Sequence, residues 1–190
     1  MKIGLFFGSF NPIHTGHLII ANHILNETAV DKIWLVVSPV NPFKINSDLL
    51  DEGARLSLVD IAIKNDERIK ASDAEFKLSR PSFTINTLLF LRNDHPDHEF
   101  SIIMGSDNFR NLDKWKNYED ITSNYRILIY SRAGFEVKNK FNAEIEVLNA
   151  PLLNISSTAI RKLIREEKSI RYLVPEPVRK EIEEKGYYKK

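Results

Sequence analysis

The chain has no cysteine among its 190 residues, which excludes disulfides, thiolate nucleophiles and cysteine-based metal sites in one step. It also lacks an excess of either charge. Lys and Arg number 27 against 26 Asp and Glu, net +1, so no global basic field of the kind that draws nucleic acid is present. Any phosphate ligand must then be held by local groups. Long hydrophobic runs are missing as well. The apolar stretch at residues 3–7 is shorter than the roughly 7 to 15 residues of a signal-peptide core, and nothing approaches the roughly 20 needed to cross a bilayer. The expectation is a soluble, cytoplasmic protein that binds neither nucleic acid nor membrane, with a homo-oligomer left open. Two familiar nucleotide fingerprints are absent too: there is no GxxxxGK[ST], and Gly4, Gly8 and Gly16 are not spaced as GxGxxG.

What remains is globular: 43% hydrophobic and 28% charged residues suit one domain over residues 1–190, closed by the segment 152–190. Ile3, Leu5, Phe6 and Phe7 read as a buried strand cut off by Gly8, Ser9, Asn11 and Pro12. Leu18, Ala21, Leu25 and Thr28 then recur at helical spacing, widened by Ile20 and Ile24, with Thr15 expected as the cap. Strand, glycine loop and helix together form a phosphate-binding geometry, because the free N–H groups and the positive dipole end of the helix both meet the loop. His14 and His17 stand in it.

The rest of the chain alternates. Strands are expected at 32–38, 68–72, 99–104, 125–130 and 144–148, and helices at 52–64, from Ser82 onward and from 156–158 onward. This pattern predicts an α/β fold, a Rossmann-like parallel sheet with helices on both faces and ligands beyond the carboxyl ends of its strands. The loops there carry Ser9, Asn11, His14 and His17 after the first strand, Lys44 after the second, and Gly105, Asp107 and then Trp115 after the fourth. Ser156, Ser157 and Thr158 open the late helix, with Arg161 one turn in, as a second anion site. Taken alone, those hydroxyls would equally be ordinary helix caps, and Lys44 a solvated side chain.

Six segments carry a family resemblance: GSFNPIHTGHL, SPVNPFK, EFKLSRPSFT, GSDNFRNLDKW, ISSTAIR and YLVPEPVRKEIEEKGY. Together they span nearly the whole chain, which resembles bacterial nicotinate mononucleotide adenylyltransferases of the HxGH nucleotidyltransferase superfamily. Two positions depart from the family's pattern. Phe43 precedes Lys44 where many relatives have histidine, and Phe83 stands in SFT where they have tyrosine.

The resemblance implies transfer of the adenylyl group of ATP to nicotinate mononucleotide, in NAD biosynthesis, with Mg²⁺ as the cofactor held by phosphate and water rather than by protein ligands. It assigns catalysis to His14, His17, Lys44 and Arg161. The ATP site would comprise Gly8, Ser9, Phe10, His14, His17, Lys44, Gly105, Asp107, Ile155, Ser156, Ser157, Thr158 and Arg161, and the acceptor site Asn11, Thr84, Trp115 and Lys116. Such a reaction needs no Ser/His/Asp set, since the attacking phosphate oxygen is already an anion. Nicotinamide mononucleotide as acceptor, alone or together with the acid, is the alternative within the superfamily. HTGH also fits the HxGH of class I aminoacyl-tRNA synthetases, against which the absence of a KMSKS-like segment and of a basic anticodon domain speaks. A non-catalytic nucleotide sensor is the alternative from another class.

Overall fold

A computed structural model describes residues 1–39, 49–131, 136–151 and 153–189. Six strands, β1 (Lys2–Gly8), β2 (Lys32–Val37), β3 (Ile69–Ser72), β4 (Glu99–Gly105), β5 (Arg126–Tyr130) and β6 (Ile145–Leu148), form one sheet in the order β3-β2-β1-β4-β5-β6. Every pairing is parallel. A parallel sheet needs a crossover between neighbours and has both faces covered. The covering helices are α1 (Thr15–Glu27), α2 (Glu52–Ile63), α3 (Thr84–Asp94), α4 (Ser106–Arg110), α5 (Tyr118–Asn124), α6 (Ser157–Arg165) and α7 (Glu176–Lys185).

Side chains alternate across each strand, so the core divides in two. Phe6, Leu35, Ile103 and Leu128 face a layer made by Ile20, Ala21 and Ile24 of α1, Leu58 and Val59 of α2, Ile160 of α6 and Val178 and Ile182 of α7. Leu5, Val36, Ile102 and Ile127 face the opposite layer, made by Ile85, Leu88 and Leu91 of α3, Phe109 of α4 and Ile121 of α5. The strand order reverses between β1 and β4, which is where an open α/β sheet leaves a crevice. Phe6 lies opposite Ile103, and two residues further along each strand Gly8 and Gly105 reach the same sheet edge.

Several expected details shift. Thr15 does not cap α1: it is the first helical residue, and His14, in extended conformation, takes the cap position. Ile20 and Ile24 are the buried face of α1, while Leu18 and Leu25 are only partly buried, because the stripe turns toward the sheet. The third helix begins at Thr84 rather than Ser82, and Asp107 stands in the first turn of α4 instead of in a loop.

Candidate active site

The loop from β1 to α1 is packed from within. Phe10 adopts φ 42 and is 1% exposed, its ring meeting His17 edge-on at 5.0 Å and Phe6 at 6.0 Å. Gly8 makes that turn possible, since a Cβ there would lie 3.0–3.2 Å from the Phe10 ring. His14 and His17 stack with ring centroids 3.6 Å apart and 20° between their planes. Gly16 has the same role beneath them: a Cβ would approach His14 Nδ1 to 3.1 Å. The His14 N–H donates to His17 Nδ1 at 3.3 Å. A neutral His17 ring therefore carries its proton on Nε2, a donor suited to a phosphoryl oxygen.

The C-terminal part of the chain holds this loop in place. Ser157 Oγ donates to the Pro12 carbonyl at 2.9 Å, and Arg161 Nη1 donates to the Asn11 carbonyl at 2.8 Å. Thr15 donates its N–H to the Leu173 carbonyl and its hydroxyl to the Tyr172 carbonyl. The start of α6 and the first loop, read as two separate anion sites, are thus one assembly. Ser156 is the ordinary cap of α6, its Oγ accepting from the Ala159 N–H, and Thr158 is exposed. Ile155 is half-buried against the same core. Arg161 is 5% exposed and supports the loop's backbone from below through that bond. Asn11, 2% exposed, accepts from the Leu50 N–H through Oδ1, which braces the loop. Lys44 and Phe43 lie outside the described residues.

Across the switch point, Gly105 caps α4 and leaves the half-buried Asp107 in its first turn. Thr84 opens α3 beside Phe83, and Lys116 Nζ stands 4.7 Å over the Phe83 ring. That cation–π contact brings Phe83, the neighbour of Thr84, against Lys116, so that two of the residues assigned to the acceptor, Thr84 and Lys116, lie in segments that meet. Trp115, half-buried, packs on the same side of the sheet as Phe83.

Two charged residues central to this geometry escaped the sequence reading. Arg55 is fully buried and donates to four carbonyls, Ser9 at 2.6 Å, Ser38 at 2.7 Å, Leu50 at 2.8 Å and Pro39 at 2.9 Å. Burial lowers its guanidinium from the ordinary value, against the opposite pull of Tyr188, Glu52 and Asp51. Glu75, 3% exposed, accepts from Ser82 at 3.0 Å and from Thr87 at 3.1 Å. Burial pushes its carboxyl above the ordinary 4.5, and hydrogen bonds from Ser82, Ser38 and Thr87 oppose that rise. The signal for Arg55 was its spacing: it stands three and four residues before Leu58 and Val59, on the buried stripe of α2.

Among the described residues no group of three His, Asp or Glu side chains is arranged to hold a metal ion, and no helix is long and apolar enough to cross a membrane. The His14 and His17 imidazoles stand at this loop, side chains whose ring N–H groups suit phosphate oxygens.

A family model described as Cytidylyltransferase-like matches residues 5–163. The chain is 49% identical over 193 aligned residues to the "Probable nicotinate-nucleotide adenylyltransferase" of Flavobacterium johnsoniae, with 100% of both chains covered. It is 48% identical to the protein of the same name from Flavobacterium psychrophilum, again over 100% of both. Among solved structures it is similar to the Plasmodium falciparum nicotinic acid mononucleotide adenylyltransferase complexed with NaAD, at a TM-score of 0.82 over 98% of this chain and 97% of that one. With 23% identity, that likeness concerns the fold.

Proposed function

The chain belongs to the nicotinate-nucleotide adenylyltransferase family, within the Cytidylyltransferase-like group, and from that membership we propose that it transfers the adenylyl group of ATP to nicotinate mononucleotide, forming nicotinate adenine dinucleotide and pyrophosphate. The observation that carries this reading is the stacked His14–His17 pair at the start of α1, beside the switch point of a parallel sheet. The acceptor's phosphate oxygen attacks the α-phosphorus of ATP, a new P–O bond forms, and the bond from the α-phosphorus to the oxygen bridging to the β-phosphorus breaks with that oxygen leaving on pyrophosphate. No general base is needed. The protein's task is to align the two reactants and to stabilise charge growing on the phosphoryl oxygens. His17 Nε2 is the donor suited to the α-phosphoryl group, and the positive end of the α1 dipole favours the triphosphate. Lys44 is assigned to the outgoing phosphates. Asp107 suits ribose hydroxyls as an acceptor, and the Trp115 ring suits the pyridine.

Bound with the triphosphate, Mg²⁺ would supply charge neutralisation on the phosphate oxygens. The stacked His14 and His17 imidazoles would hold the phosphates that carry such an ion.

The test is pyrophosphate release from ATP and Mg²⁺ with nicotinate mononucleotide and nicotinamide mononucleotide in competition. The acid carries acceptors alone, whereas the amide adds two N–H donors that a pocket of N–H donors leaves unpaired, at about 1 to 3 kcal/mol. The acid is expected to win by at least about tenfold in kcat/KM, since about 1.4 kcal/mol is a factor of ten. Equal incorporation would overturn the nicotinate assignment, and no release with either would overturn the transferase reading.

A further inference from the structure

The acceptor segment is anchored by a carboxylate that takes no part in the chemistry above. Glu75 sits in a single 3-10 turn, Ala74–Lys77, behind β3. Its two oxygens bracket one short stretch of chain: Oε2 takes the hydroxyl of Ser82, just before Phe83 and Thr84, and Oε1 takes the hydroxyl of Thr87, one turn into α3. Phe83 and Thr84 are therefore held between two fixed points, and Phe83 is the ring beneath Lys116. Ser82 and Thr87 are themselves buried, at 6% and 0% exposure, so water does not compete for these bonds.

The same carboxylate reaches the donor side. The Ser38 side chain stands beside it and opposes the rise that burial imposes on the carboxyl. The Ser38 N–H donates to the Gly8 carbonyl at 2.9 Å, at the root of the first loop, and its carbonyl accepts from Arg55, which also holds Ser9. One residue at the end of β2 thus joins the loop assigned to ATP and the segment assigned to the acceptor.

We propose that Glu75 is a positioning residue for the acceptor site, setting the place of Phe83 and Thr84 relative to the adenylyl-donor loop through Ser82, Thr87 and Ser38. The proposal rests on the reading that residues 83–84 and 115–116 line the acceptor pocket. A merely structural carboxylate would affect both substrates alike; this one is tied by two direct bonds to the acceptor segment and by a single serine to the donor loop.

Glu75→Gln keeps the size and one acceptor oxygen but places an NH₂ against a hydroxyl, which must turn to accept. Steady-state kinetics varying each substrate in turn should show KM for nicotinate mononucleotide raised at least about fivefold and KM for ATP within about twofold of the parent. Ser82→Ala removes one leg of the bracket and should give the same split, smaller in size. Both measurements are read beside the parent protein: a parent inactive with ATP and nicotinate mononucleotide overturns the functional reading itself. An active parent whose variants shift both KM values equally, or neither, overturns the role of Glu75 and leaves that reading standing. Should Glu75→Gln not fold, an unchanged KM ratio in Ser82→Ala overturns the proposal by itself.

Discussion

Each imidazole of the loop is placed by a different neighbour. His17 is set by the Phe10 edge on one side and the His14 ring on the other, so its orientation precedes any ligand. His17→Ala is expected to fold normally and to lose roughly 10²-fold or more in kcat, the usual loss for one preorganised donor, with a smaller effect on ATP binding; turnover equal to the parent would remove His17 from the site. Glu75 provides a pH test at the same scale. Its folded value lies above 4.5, so between the unfolded and folded values the native state binds more protons than the unfolded one. Its contribution to stability is therefore greatest at low pH and falls as pH rises through that window. A series of Tm measurements from about pH 4 to 8 should show this downward component in the parent and its loss in Glu75→Gln.

Elements act through their ends. Helix α6 reaches the first loop with Ser157 and Arg161, both bonded to its carbonyls. Arg161→Lys keeps the charge but loses the planar fork, so the Asn11 carbonyl is no longer held in the same geometry and kcat/KM for ATP should fall about tenfold or more. Unchanged ATP dependence would reduce α6 to a capped packing helix. Helix α7 carries an exposed ladder in which Arg179 bonds Glu176 at 2.6 Å and Glu183 at 2.6 Å. The Arg179 guanidinium holds the Glu176 carboxyl down at about 2, below its ordinary 4.5. A lowered carboxyl stabilises the fold above the ordinary value and loses that contribution as pH falls toward about 2. Acid unfolding of Arg179→Met should accordingly show a weaker dependence on pH in that range, and the difference should shrink in high salt.

At the scale of the molecule, Arg55 is the joint. It binds the exit of β1, the exit of β2 and the entry to α2 through one side chain, with no water to replace it. Arg55→Met fills similar space but strands four carbonyls, and it should cost about 3 to 5 kcal/mol. At about 2 to 4 °C per kcal/mol for a chain of this length, Tm should drop by roughly 6 to 20 °C; a drop of less than about 2 °C would show the carbonyls find other partners. The C-terminal Tyr188 lies near both Arg55 and Arg161, and burial raises its hydroxyl well above the ordinary value.

The α/β alternation, the strands of the parallel sheet and the strand, glycine loop and helix at the start of the chain were legible because each is local. β-rich apolar runs, glycine breaks and a helical stripe leave their mark within about ten residues of chain. The same holds for His14, Gly16 and His17, which are neighbours in sequence. The tertiary structure alone decided the rest, because the partners are far apart. Arg161 and Asn11 are 150 residues apart, and Ser157 and Pro12 145. Local pattern cannot show that a guanidinium will bond a backbone carbonyl so distant in the chain. Glu75 and Arg55 received no role from the sequence, since burial of a charge is determined by what packs over it. Identity of a side chain belongs to the sequence; whether it supports the site or faces the substrate depends on which distant carbonyls and hydroxyls the fold brings to it.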